Sequence, residues 1–263
     1  MLEGRLFKSK TKIWLDEEAS FTRPWLILGF PGLGRIGRIC AKFLIKKYNM
    51  RMRGFIISPH FSSQVIITKD GLPRLMRAEI YHTTIGGREI VILTGDEHYE
   101  NIEEEYELAS RILDIFLKFG LEMVITVGGH ISDRKEKKVI TFATDKETLQ
   151  YALAAGAERA PEGTPVIGIS GVMVNLSKER GIPAICLLGE TNGVYPDVEA
   201  SDRVLEVLHK ILNVKYERGI IEEEKRKIGE IVRKFEKEYE KIIENKRVKE
   251  GLGRERRGID YVS

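Results

Sequence analysis

Trp25-Leu26-Ile27-Leu28-Gly29-Phe30-Pro31-Gly32-Leu33-Gly34-Arg35-Ile36-Gly37 is the stretch on which the fold turns. Its first four residues form an apolar run between Pro24 and Gly29, too short for a helix and without polar alternation. Such a run reads as a strand buried on both faces. Downstream, Ile36, Ile39, Cys40, Phe43 and Leu44 recur at helical spacing, with Arg35, Arg38, Lys42 and Lys46 beside them. Strand, glycine-rich tight loop and helix follow one another, which is the opening of an α/β unit.

The same alternation continues outward. Residues 55–58 and 64–68 read as short β runs. Residues 78–85 and 89–94 flank Gly86-Gly87, a hairpin signal. Residues 103–119 read as a helix with Ala109, Ile112, Leu113 and Phe116 on one face and Gly120 as its stop. Strands are expected at 123–127, 139–143, 166–169 and 184–188, and helices at 146–155, 171–179 and 196–212. Buried strands alternating with helices predict an α/β fold with a mixed, mostly parallel central sheet and helices on both faces.

The character changes after residue 214. Ile228, Val232, Phe235, Tyr239 and Ile242 are spaced 4, 3, 4 and 3, with charges filling the positions between. That is a heptad-like seam of about two heptads, short of the three to four that define a coiled coil. The organisation read from the chain is an α/β core over 1–214, a charged helical arm over 215–250 and a flexible tail over 251–263.

Composition narrows the classes. The chain has 263 residues, 43 Lys+Arg and 40 Asp+Glu, and a net charge of only +3. With 42% hydrophobic residues and charges of both signs, disorder is excluded. The small net charge argues against nucleic acid as a partner. No apolar run suits a membrane span or a signal peptide, so a cytoplasmic protein without a membrane partner is expected. Cys40 and Cys186 each sit in apolar sequence and read as buried reduced thiols. Glutamine occurs only at Gln64 and Gln150 amid dense Lys, Arg and Glu, a composition of heat-adapted proteins.

Candidate chemistry clusters where strands end. Gly32, Gly34 and Gly37 match GxGxxG after a strand and before a helix. A dinucleotide site also needs an acidic residue about 20 positions on, to hold the ribose. None occurs between Glu18 and Asp70. The favoured reading is therefore a turn whose glycines let strand and helix pack closely, with a generic anion at the helix N-terminus as the alternative. Asp96, Glu97, His98 and Glu100 follow a strand, and so does His130 after Gly128-Gly129. The former are either metal ligands or a solvated helix start, and His130 either a base or a structural residue. Neither GxSxG, Walker A nor HExxH is present, and no cofactor, metal or catalytic set is assigned. Residues 19–69 hold nine basic and no acidic residues, and 96–107 seven acidic and no basic ones. Opposed patches serve self-association or partner steering, or neutralise each other in the fold.

Three segments carry a family resemblance. They are the glycine loop with Gly32, Gly34 and Gly37; Ile169-Ser170-Gly171-Val172; and Leu187-Leu188-Gly189-Glu190-Thr191-Asn192-Gly193-Val194-Tyr195-Pro196-Asp197. Their order and spacing over residues 20–212 resemble the proteasome assembly chaperones and their archaeal homologues. The resemblance implies a nucleoside-phosphorylase-like α/β fold used as a non-enzymatic binding scaffold. It also implies homo-oligomers, with α-subunits of the proteasome core particle as partners. Factors of this kind often end in hydrophobic-Tyr-X; here Ile259, Tyr261, Val262 and Ser263 form the corresponding tail, with Tyr261 third from the end. The alternative that the fold implies is a phosphorylase or hydrolase using His130, Asp96 and Glu190.

Overall fold

The computed structural model describes residues 11–17, 19–58, 61, 64–96, 102–193, 196–217 and 226. The chain divides into two units, Met1–Glu217 and Arg218–Ser263. Apart from 215–217 and 226, the heptad-like arm lies outside the described residues, as do the tail with Ile259, Tyr261, Val262 and Ser263, and Glu97, His98, Glu100 and Tyr195.

In chain order the elements are β1 (Lys12–Leu15), β2 (Trp25–Leu28), a 3-10 turn (Leu33–Arg35), α1 (Ile36–Lys47), β3 (Arg51–Ile57), β4 (Val65–Ile67) and β5 (Pro73–Leu75). Next come β6 (Ala78–Ile85), β7 (Arg88–Gly95), α2 (Ile102–Leu117), β8 (Met123–Ile131), β9 (Val139–Ala143), α3 (Lys146–Ala154) and β10 (Glu158–Arg159). The body closes with α4 (Ile169–Glu179), β11 (Ala184–Thr191) and α5 (Val198–Ile211).

Nine strands form one sheet in the order β1-β3-β6-β7-β2-β8-β11-β9-β10. The four central strands β7, β2, β8 and β11 are mutually parallel. Antiparallel pairs flank them, through β6 on one side and β9 on the other. The mixed sheet expected from sequence is therefore built as a parallel centre between antiparallel margins. Helices α1, α3 and α5 cover one face, and α2 and α4 the other. The centre is buried on both sides, which is why β2 and β11 have no exposed position.

The five helices among the described residues all stop in the same way. Asn49, Gly120, Gly156, Gly181 and Asn213 take positive φ just past the helix ends. The amide one residue further on closes back onto the last turn each time: Met50 to Ile45, Leu121 to Phe116, Ala157 to Ala152, Ile182 to Ser177 and Val214 to His209. These are Schellman closures, and glycine or asparagine bears the left-handed geometry at least cost.

Several expectations change. Residues 166–169 are not a strand. Gly168 turns at φ 95, Ile167 is exposed, and Ile169 already begins α4. Strand β1 has no counterpart in the sequence reading, because its half-exposed alternation contains no apolar run. Strands β8 and β11 run on through Gly128-Gly129 and Gly189, where the glycines had suggested strand ends.

Candidate functional site at the strand ends

The glycine loop is a packing joint. Gly34 and Arg35 have positive φ values of 61° and 54°, which swings the chain from β2 into α1. A Cβ on Gly37 would lie 2.5 Å from the Val127 carbonyl and 2.7 Å from that of Phe30. One on Gly129 would lie 2.5 Å from the Leu33 carbonyl. The loop thus rests its own backbone on β8, the close strand–helix packing that its glycines permit. Gly32 is extended and accepts from the Arg35 amide at 2.7 Å.

The other signature residues converge on the same end of the sheet. Asp197 caps α5, accepting the Ala200 amide at 2.9 Å on one carboxylate oxygen and the Thr191 hydroxyl at 2.6 Å on the other. Its own amide donates to the Gly34 carbonyl at 2.8 Å. Asp197 thereby joins the glycine loop, the end of β11 and the start of α5. Gly189 faces α5, where a Cβ would meet Val204 at 3.1 Å and the Ala200 carbonyl at 3.2 Å. Pro196 is half-buried immediately before the cap. On the opposite face of β8, Thr126 donates to the Ser170 carbonyl at 3.3 Å. The Ser170 hydroxyl lies 3.6 Å from where a Gly128 Cβ would be, and Gly171 packs against Val166.

Replacing Asp197 with alanine removes the helix cap and the Thr191 bridge together. The expected loss is about 2 kcal/mol, the upper end for a cap, read as a lowered urea midpoint with an unchanged slope. Asp197→Asn keeps the cap acceptor and is expected to recover at least half of it; equal losses in the two variants would refute the capping account.

Glu190 and Asp96, singled out as acids, are committed to other work. Buried Glu190 accepts the Lys138 amide at 2.9 Å, and its own amide donates to the Lys138 carbonyl. Arg134 approaches the same carboxylate at 3.7 Å. Asp96 is gripped by Arg74 through two hydrogen bonds of 2.5 and 3.0 Å, and Arg38 donates to its carbonyl at 2.7 Å. Burial pushes the Asp96 carboxyl up, but the bonds and charge of Arg74, with the Arg77 amide and the charge of Arg38, hold it below the usual value. The contact between Arg38 and Asp96 also joins the basic and acidic stretches. His130 pairs in register with Glu190 across β8 and β11, whereas Asp96 lies two strands away, about 10 Å at normal strand spacing.

Glu105 is a residue that sequence did not single out. It is buried on α2, which raises its pKa, and it accepts the Ile169 amide, which lowers it; burial prevails. It thus serves the start of α4, whose N-cap, Gly168, offers no side chain. Cys40 and Cys186 are both free and buried, and burial pushes both thiols up, that of Cys186 to about 12. Among the described residues no group of three His, Cys, Asp or Glu side chains is placed to hold a metal ion, and no helix is long and apolar enough to cross a membrane.

The fold and this joint define a class: α/β proteins whose glycine loop packs on the central sheet and is tied through Asp197 to the end of β11 and the start of α5. The chain belongs to the PAC2 family, whose model matches residues 26–236. It is 32% identical to the uncharacterized protein MJ1210 of Methanocaldococcus jannaschii, over 84% of this chain and 87% of that one. The crystal structure of Pyrococcus furiosus PbaB, an archaeal proteasome activator, superposes with a TM-score of 0.78 at 30% identity, over 86% of this chain and 99% of that one. That of P. furiosus PbaA, an archaeal homolog of proteasome-assembly chaperone, gives 0.72 at 25%, over 86% and 96%.

Proposed function

We propose that the protein is a non-enzymatic, homo-oligomeric binding protein that acts in the cytoplasm on the proteasome core particle. In this reading it engages the α-subunits through its oligomer surface and its C-terminal tail. The observation that carries the proposal is the likeness to PbaB over nearly the whole of that chain. The commitments of Glu190 and Asp96 support it further, since neither carboxylate is held ready for substrate.

The surface supplies apolar area for self-association. The β4–β5 hairpin pairs Val65 with Leu75 and Ile67 with Pro73, so these four share one face, and all four are exposed. Leu33, Ile131 and Ile167 are exposed around the strand ends. Apolar side chains grouped in this way mark contact surfaces on soluble proteins. The arm over 215–250 and the tail over 251–263 extend the contacts. Several tails on one oligomer raise the effective concentration without any new contact.

Immobilised full-length protein is expected to retain purified core-particle α-subunits. Deleting residues 251–263 is expected to weaken that retention about tenfold or more, the range that multivalent linkage supplies. Unchanged retention after the deletion refutes the role of the tail, and absence of retention by the full chain refutes the proteasome reading. Native mass spectrometry is expected to show a multiple of 30.0 kDa. A strict monomer refutes the multivalent arrangement.

A further inference from the structure

At the opposite end of the sheet from the glycine loop, a cavity of about 590 Å³ opens where α3, α5 and the start of β7 meet. Its lining includes Arg88, Lys210, Lys215, Tyr151 and the small side chains of Ala154 and Ala155, with no carboxylate among the described residues. Lys210 pairs with Glu206 at 3.1 Å, while Arg88 and Lys215 have no carboxylate partner among the described residues. The Arg88 guanidinium is 4.3 Å from the centre of the Trp25 ring, and Tyr151 meets Trp25 edge-on. Arg88 is thus held in place by stacking, and its donors make no hydrogen bond among the described residues.

A simpler account is that the cations only balance the negative ends of α3 and α5. It covers Lys210, which stands in the last turn of α5. It does not cover Arg88, which belongs to β7 and neither helix. The carbonyls at those helix ends are also largely occupied. Gly156 and Ala157 close α3, Asn213 and Val214 close α5, and the Tyr151 hydroxyl donates to Ile211. The cavity therefore keeps more positive charge than its helix ends require. Its volume is that of a small-molecule site, and its walls combine apolar surface with a few charged groups.

We infer that this cavity is a binding site for a small organic anion: a carboxylate or phosphate monoester carried on a compact apolar or aromatic body. The anion sits between Arg88, Lys215 and Lys210, and the body lies against Tyr151, Ala154 and Ala155. The assignment is independent of any proteasome contact.

Isothermal titration of the full chain at constant ionic strength tests it, with phenyl phosphate, benzoate and neutral benzyl alcohol as probes. At least one anionic probe is expected to bind saturably at one site per chain with a Kd below about 1 mM, and benzyl alcohol at least about tenfold more weakly. Lys215→Gln and Arg88→Gln are each expected to weaken the anion about fivefold or more, as loss of a charge-assisted hydrogen bond does. Lys215 is exposed, so its variant tests the site even if loss of Arg88 disturbs Trp25. Tighter binding of phenyl phosphate assigns the site to phosphate monoesters, and equal or tighter binding of benzoate to carboxylates. Absence of saturable anion binding, equal binding of benzyl alcohol, or an unchanged Kd in Lys215→Gln would overturn the inference.

Discussion

Gly37→Ala is expected to destabilise the body by about 3–5 kcal/mol, in the range that only severe overpacking reaches. The reason is where the new methyl would go. It would lie 2.5 Å from the Val127 carbonyl and 2.7 Å from that of Phe30, both well inside ordinary contact. Both obstacles are backbone, one in the middle of a central strand and the other in the loop that α1 follows. Neither can rotate aside as a side chain would. Helix α1 would have to lift from β8, and with it the buried contacts of Ile36, Cys40 and Leu44. For a body of this size the melting temperature is expected to fall by about 10 °C. Gly128→Ala is the contrast. Its methyl would meet only the end of the Leu188 side chain at 3.1 Å and the Ser170 hydroxyl at 3.6 Å, so a loss below about 1.5 kcal/mol is expected. Differential scanning calorimetry of the two variants decides the matter. Similar small shifts in both would mean that the loop is not the close-packed joint described.

That contrast bears on what could be read from the residues. GxGxxG was legible as a strand–turn–helix joint, and the missing acid before Asp70 already turned the reading from cofactor to packing. The helix stops were legible at Gly120, because a glycine ending an apolar period has few other uses. The glycines at 128, 129 and 189 pointed the wrong way. Glycine in a strand reads as a breaker, but here it allows Leu33 and α5 to lie against the sheet while the ladder continues. Strand β1 was hidden because an edge strand with half-exposed alternation carries little apolar signal. The parallel centre was legible from the runs 25–28, 123–127 and 184–188. The antiparallel margin at β6 was legible from the Gly86-Gly87 hairpin, whereas the margin on the other side depends on the pairing of β11 with β9, which no local pattern encodes.

The candidate site was legible in a different sense. Thr191 and Asp197 stood out only as parts of a family-like block, and their structural work appears once Asp197 is seen to bridge the Gly34 carbonyl, Thr191 and the Ala200 amide. The capping part had a local signal, an acid just ahead of an apolar-periodic helix. The link to Gly34 had none, since it spans more than 160 residues. Glu190 misled for a related reason. Its place at a strand end suggests chemistry, but a buried carboxylate already holding a backbone amide is as well explained by joining β11 to the chain around Lys138.

His209 has no suggestive partner in the sequence, although its place among Leu205, Leu208 and Leu212 puts it on the buried face of α5. It makes the stability of the body depend on pH. The side chain is fully buried; one ring nitrogen donates to the Leu205 carbonyl at 2.7 Å and the other has no partner among the described residues. Phe43, Tyr48 and Tyr216 surround the ring. Lys47 lies in the same cage, its ammonium 5.8 to 5.9 Å from the centres of those three rings. Burial lowers the His209 pKa most; the Leu205 carbonyl raises it and the Lys47 charge lowers it again, leaving it at about 4. An unfolded histidine takes its proton near 6.5. On acidification the unfolded state therefore binds the proton first, and stability falls as the pH drops from 6.5 to about 4. Above 6.5 the imidazole is neutral in both states and the stability is kept in full; below about 4 the loss levels off. Between those limits this one residue is expected to remove on the order of 3 kcal/mol. His209→Phe keeps a ring in the cage and discards the titration along with a buried nitrogen that has no partner. Its stability at pH 7 is expected to lie within about 1 kcal/mol of the parent, since loss of the bond to Leu205 is offset by removal of the buried nitrogen that has no partner. Urea unfolding of both proteins at pH 7 and pH 4.5 is the measurement. The variant is expected to lose about 2–3 kcal/mol less than the parent between the two, a difference that cancels carboxylates common to both. Equal losses would show that His209 takes up its proton in the folded state as readily as in the unfolded chain, and that the cage opens to admit the charge.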